Sequence, residues 1–171
     1  MITAICPGSY DPVTMGHVDV ISRASAIFDR VVVGVVASPR HKTPLFSLDE
    51  RVEFLKGALD DLENVEVDVF SELVVEFARR WQAKAIVKGL RVISDFEWEF
   101  QMNQLNRHLA PDIETVYVMA SPQYSFISSS GVKEIASFGG KVDSLVPEAV
   151  ARRFRELYPQ GRPGAPVSPQ E

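Results

Sequence analysis

One cysteine, three histidines and no surplus of positive charge narrow this 171-residue chain before any motif is considered. Cys6 by itself can neither close an intramolecular disulfide nor build a multi-cysteine metal site, which fits a reducing, cytoplasmic setting. With 18 Lys and Arg against 23 Asp and Glu, the net charge is −5, so the broad basic surface of a polynucleotide binder is missing. No run approaches the roughly 18 apolar residues of a membrane span, and the opening MITAICPG lacks the basic n-region of a secretory signal. Nucleic acid and membrane are therefore not the expected partners. A small anionic ligand is compatible with this balance, because a few well-placed cations suffice to hold it.

What is present is an alternation of short apolar runs and amphipathic segments. Residues 2–6 read as a buried strand closed by Pro7-Gly8, and residues 16–28 as a helix with Val18, Ile21, Ala24 and Phe28 at helical spacing. Residues 30–37 (RVVVGVVA) form an almost wholly apolar strand, as in a parallel sheet covered on both faces. After a loop over 38–46, Ser47 and Glu50 make a capping box ahead of Leu48, Val52, Leu55 and Leu59. Strands are expected at 65–70, 85–87 and 114–119, and helices at 73–81, 94–109, 131–137 and 147–157. The sum is an α/β fold: a doubly wound, five-stranded parallel sheet with helices on both faces, in one domain over 1–158. Residues 159–171, rich in proline and small polar residues, read as a disordered tail.

Four segments carry chemistry. The first, Gly8-Ser9-Tyr10-Asp11-Pro12-Val13-Thr14-Met15-Gly16-His17, joins a strand to a helix and has the make-up of a phosphate site. It offers hydroxyls from Ser9 and Thr14, and places His17 in a first helical turn, whose free N–H groups and dipole attract anions. A plain connection with a packing histidine is the competing reading, and the complete decapeptide disfavours it. The second, Lys88-Gly89-Leu90-Arg91, sets two cations around a glycine at a strand end, where Arg91 supplies a planar fork suited to phosphate. The third runs from Tyr124 to Lys133, with three serines opening a helix. Lys42, in the loop after the second strand, is the fourth, with His41 as its neighbour and competitor. Glu97 and Glu99 lie two apart on a helix and diverge, so a shared metal is not expected. That helix also carries apolar residues on two sides, Phe96 and Phe100 against Trp98, Met102 and Leu105, which points to an oligomer contact.

Thr14-x-Gly16-His17 resembles the T/H-x-G-H signature of the nucleotidyltransferase superfamily, and PGSYDPVTMGH is similar to the version in bacterial phosphopantetheine adenylyltransferases. KGLR followed by DFEWE resembles that family's R/K-G-L-R and D-F-E-Y-E block, with Lys88 where arginine is frequent. ISSSGVK resembles its I-S-S-T/S-x-x-R/K loop, with Gly131 in place of a more usual apolar residue. The resemblance implies a Rossmann-like fold and transfer of the adenylyl group of ATP to 4′-phosphopantetheine, giving dephospho-coenzyme A and pyrophosphate without a covalent enzyme intermediate. It implies catalytic roles for His17, Lys42 and Arg91. ATP would lie against Ser9, Tyr10, His17, Gly89, Leu90, Arg91, Glu99, Tyr124, Ser125, Phe126, Ile127, Ser128, Ser129 and Ser130. The second substrate would meet Ser9, Lys42, Val74 and Lys88. Mg²⁺ is expected with ATP, held mainly by phosphates and water, and the assembly is expected to be a homohexamer. A nucleotidyltransferase making NAD or a CDP-alcohol, a nucleotide-binding module without turnover, and a flavodoxin-like carrier are the alternatives.

Overall fold

Alternation along the apolar runs decides how the chain is layered. In a computed structural model, which describes residues 1–39 and 43–159, five strands form one parallel sheet in the order β3-β2-β1-β4-β5. They are β1 (Thr3–Gly8), β2 (Arg30–Val36), β3 (Val65–Phe70), β4 (Ala85–Leu90) and β5 (Glu114–Met119). The helices are α1 (Met15–Ser25), α2 (Leu48–Ala58), α3 (Val74–Arg80), α4 (Ile93–Leu109), α5 (Ser129–Ser137) and α6 (Glu148–Leu157). Ala4, Cys6, Val31, Val33, Val35, Ala85 and Val87 point to one face and pack with residues of α1, α2, α5 and α6. Ile5, Val32 and Ile86 point to the other and pack with α3 and with Ala110 and Ile113 beyond α4. Strands buried on both faces explain the near-continuous valine runs.

Two strand ends lie further along than their composition implies. β1 continues through Pro7 and Gly8, paired with Gly34 and Val35 of β2. Its other edge meets β4 only at Ala4 and Ile5, so beyond that point a residue without an N–H is tolerated. β4 continues through Lys88, Gly89 and Leu90 because Tyr117, Val118 and Met119 of β5 supply its ladder, although lysine and glycine are poor strand formers. Helix boundaries agree with the spacing to within a few residues. At α2 the capping box forms as read: Glu50 N–H donates to Ser47 Oγ (3.2 Å) and Ser47 N–H to Glu50 Oε2 (2.9 Å). A short 3-10 turn at Pro122–Tyr124 has no counterpart in the periodicity.

At Gly34 the second face lies close against α3. A Cβ there would lie 2.4 Å from Phe77 Cε1 and 3.1 Å from Phe70 Cε1, under two rings stacked 4.6 Å apart. Gly34→Ala is therefore expected to destabilise the fold by about 1–3 kcal/mol through overpacking. The measurement is a urea midpoint, and an unchanged midpoint would mean that Phe77 yields without cost.

Because β1 and β4 are adjacent in the sheet but their chain connections run to opposite sides, the order reverses between them. With only two paired positions they separate early, and their carboxyl ends open a crevice. α4 passes beside it without a single buried residue. Among the described residues no helix is long and apolar enough to cross a membrane.

Candidate active site

The crevice is a cavity of about 540 Å³ whose wall joins the loop after β1, the end of β4, the first turns of α4 and the N-terminus of α5. Of the residues singled out from sequence, Ser9, Tyr10, His17, Lys88, Gly89, Arg91, Glu99, Tyr124, Ile127, Ser128, Ser129 and Ser130 line it. Four do not. Leu90 is buried in the core, Phe126 is exposed, Ser125 lies off the wall, and Val74 packs against the opposite face of the sheet. Lys42, with His41, lies outside the described residues.

His17 is held by the helix start that carries it. Thr14, the N-cap of α1, donates its backbone N–H to His17 Nδ1 (3.0 Å), while His17 N–H donates to Thr14 Oγ1 (3.4 Å). This is a capping box with histidine in the usual place of glutamate. Since Nδ1 accepts, the neutral ring carries its proton on Nε2, the nitrogen left for the cavity. Burial, helped by the charge of Arg91, lowers the His17 pKa from 6.5 to about 4. The ring is thus a neutral donor at physiological pH. In the unfolded chain it would protonate near 6.5, so between the two values the unfolded state binds more protons, and this stability is lost as pH falls. The imidazole Cε1–H resonance of His17 should keep its neutral position down to about pH 5. A titration near the ordinary histidine value would remove this description of the ring.

Tyr10 meets His17 edge-on, with ring centroids 5.1 Å apart. Its backbone lies in the left-handed region, φ 48, unusual for a residue with a Cβ, and its hydroxyl donates to Cys6 O (2.7 Å). Cys6 itself is no nucleophile, because burial pushes its thiol up to about 12.

The two cations at the end of β4 are oriented by carboxylates of α4. Arg91 donates through Nε and Nη2 to Asp95 (3.0 and 3.1 Å) and through Nη1 to Ile127 O (3.0 Å), tying α4 to the serine loop. Burial works to raise the Asp95 pKa, but hydrogen bonds and charge from Arg91 outweigh it and hold it low. Lys88 Nζ lies 3.4 Å from Glu99. Of the three serines that open the helix, Ser129 donates to Pro12 O (2.8 Å) and Ser128 receives Gly131 N–H (3.0 Å) as the N-cap of α5. A Cβ on Gly131 would lie 3.1 Å from that Ser128 oxygen, a tight approach at the cap.

Two buried charges to which the sequence reading gave no role, Asp11 within the first segment and Arg51 outside all four, hold the wall in place. Asp11 accepts from Leu45 N–H and Phe46 N–H (3.0 and 2.9 Å) and from Lys133 Nζ (2.6 Å). Burial favours its neutral form, yet Lys133 and these amides keep its pKa below the ordinary value. Arg51 of α2 is fully buried and donates to the carbonyls of Ser9, Val36 and Ala37. Its Nε has no partner among the described residues, an arrangement costing about 1–3 kcal/mol. The available signal was a basic residue within the stripe Leu48, Val52, Leu55.

Residues 5–135 match the model of the cytidylyltransferase-like family. The chain is 52% identical to the phosphopantetheine adenylyltransferase of Caldanaerobacter subterraneus subsp. tengcongensis over 92% of its own length and 98% of the relative's. It is 51% identical to the enzymes of the same name from Heliobacterium modesticaldum (92% and 94%) and Rubrobacter xylanophilus (92% and 96%). A crystal structure of a candidate nicotinate-nucleotide adenylyltransferase from Vibrio parahaemolyticus superposes with a TM-score of 0.68 at 15% identity, covering 94% of this chain and 98% of that one. That likeness concerns the fold.

Proposed function

This chain belongs to the cytidylyltransferase-like family and, within it, to the phosphopantetheine adenylyltransferases, and from that premise we propose that it joins the AMP part of ATP to 4′-phosphopantetheine. A phosphate oxygen of 4′-phosphopantetheine attacks the α-phosphorus, the bond from that phosphorus to the α,β-bridging oxygen breaks, and pyrophosphate leaves with the bonding pair. Dephospho-coenzyme A is the other product.

The observation that carries the reading is that a neutral histidine donor and Arg91 line one cavity together with the N-terminus of α5, to which Arg91 is tied through Ile127 O. His17 Nε2–H and Arg91 would stabilise charge on the α-phosphoryl oxygens, with Lys42 assigned beside them on the family resemblance. The free N–H groups at the start of α5, with Ser128 and Ser130, suit the outer phosphates. Ser9 and Lys88 would hold the acceptor phosphate, Lys88 exchanging Glu99 for it. A binding module has no need of donors at the α-phosphorus in addition to those at the outer phosphates, which favours turnover over mere binding.

Mg²⁺ fits as a companion of ATP: among the described residues no group of three or more His, Cys, Asp or Glu could hold a metal ion. Asp95 and Glu99 on the wall are already paired with Arg91 and Lys88. The ion would be held by phosphates and water and would neutralise their charge. The homohexamer rests on the family resemblance; exposed Ile93, Phe96, Trp98, Phe100, Leu105 and Leu109 on α4 support self-association. A cytoplasmic location rests on the substrates and the single cysteine.

Labelled ATP tests the reaction. Label on the α-phosphate should appear in dephospho-coenzyme A and γ-label in pyrophosphate. Formation of ADP, or tight ATP binding with no label transfer to 4′-phosphopantetheine, would overturn it.

A further inference from the structure

Arg51 lies outside the cavity wall, 1% exposed, yet it touches the segment on which the wall depends. β1 and β2 are paired as far as Gly8 and Val35, and beyond that rung the two chains have no ladder between them. The guanidinium of Arg51 stands in for the missing rung. Nη1 donates to Ser9 O (2.8 Å) and Val36 O (2.9 Å), and Nη2 to Ala37 O (3.0 Å). No carboxylate is hydrogen-bonded to it among the described residues, and Nε is left without a partner. An apolar side chain of similar volume would avoid that desolvation altogether. What arginine alone supplies is a rigid planar fork aimed at carbonyls from two separate segments.

The Ser9 carbonyl belongs to the peptide plane that precedes Tyr10, so its orientation sets the φ of Tyr10. That φ, 48, lies in the left-handed region, and a residue persists there only when its surroundings hold it. Arg51 grips one side of this strained residue and the Tyr10 hydroxyl bond to Cys6 grips the other. Between them they fix the backbone at which Ser9 lines the cavity and place the Tyr10 ring against His17.

We propose that Arg51 is a positioning residue for the adenylyl-transfer site, fixing the Ser9–Tyr10 peptide so that Ser9 meets the acceptor phosphate; this rests on the function proposed above.

Arg51→Lys keeps the charge and loses the fork. In the full-length protein it should raise the KM for 4′-phosphopantetheine by about tenfold, with a smaller change in the KM for ATP. In a Ser9→Ala background the same substitution should raise it less than about twofold, because the hydroxyl being positioned is gone. A purely structural arginine would lower the melting temperature and multiply KM by the same factor, or by one, in both backgrounds; that result overturns the proposal. Should Arg51→Lys fail to fold, Arg51→Gln, which retains an amide donor for a carbonyl without a buried charge, takes its place in the same cycle and is read by the same criterion. Absence of adenylyl transfer by the unmodified protein would instead strike the underlying function, so the two failures are distinguishable.

Discussion

His17→Ala is expected to lower kcat by about 10²–10³-fold, the effect of removing one preorganised donor from charge that develops in the transition state. The magnitude follows from the state of the ring. Nδ1 is occupied by the Thr14 N–H, burial keeps the ring uncharged, and Nε2–H therefore points its dipole without titrating near neutral pH. A donor fixed in this way needs no reorganisation when the phosphorus is attacked. The substitution also removes the acceptor for Thr14 N–H, half of the capping box, which should cost about 0.5–2 kcal/mol of stability. Circular dichroism melts must therefore accompany the pyrophosphate assay, and the loss of kcat should far exceed any loss of folded protein. Near-wild-type turnover in well-folded His17→Ala would take the ring out of the reaction.

Asp11→Ala should damage the fold more than His17→Ala or Gly34→Ala, at about 3–5 kcal/mol. The carboxylate is 6% exposed and is the common acceptor of Lys133 Nζ, Leu45 N–H and Phe46 N–H. Without it a half-buried ammonium and two amides lose their partner together, and the Lys133 tie between α5 and the loop after β1 is lost, leaving the Ser129–Pro12 hydrogen bond. For a chain of this size the loss corresponds to a fall in melting temperature of roughly 10 °C. Asp11→Asn, which keeps an acceptor oxygen but not the charge, should fall between the two. Because the folded pKa of Asp11 is depressed, its contribution is complete above the unfolded value of 3.8 and is lost as pH falls through the folded one. A melting temperature for Asp11→Ala within a degree or two of wild type would show that the pair is dispensable.

Much of this molecule was legible in local pattern. Valine runs marked the doubly covered strands, the S-x-x-E box marked the start of α2, and PGSYDPVTMGH with KGLR and the serine loop marked the family, because each is a contiguous stretch whose meaning survives outside the fold. The ends of β1 and β4 were misjudged for the opposite reason. Pro7 and Lys88-Gly89 are poor strand residues by composition, and only the neighbouring strand supplies the ladder that keeps them extended.

The site divides along the same line. That His17, Lys88, Arg91 and the serines bear on phosphate could be read from residue types and spacing. Their convergence at the carboxyl ends of the strands followed from the sheet class and the family resemblance; the shape of the crevice could not be read, since it depends on β1 and β4 parting after Ile5. Nor could the two serine hydroxyls already engaged with main chain, the carboxylates that hold Arg91 and Lys88, or the buried charges behind the wall. Lys133 and Asp11 are 122 residues apart in the chain, and Arg51 and Ser9 are 42 apart. Periodicity and capping are carried by neighbours within a turn or two and so are written in the sequence itself. A buried charge gains its partner only when distant segments pack and exclude water, and that was decided by the tertiary structure alone.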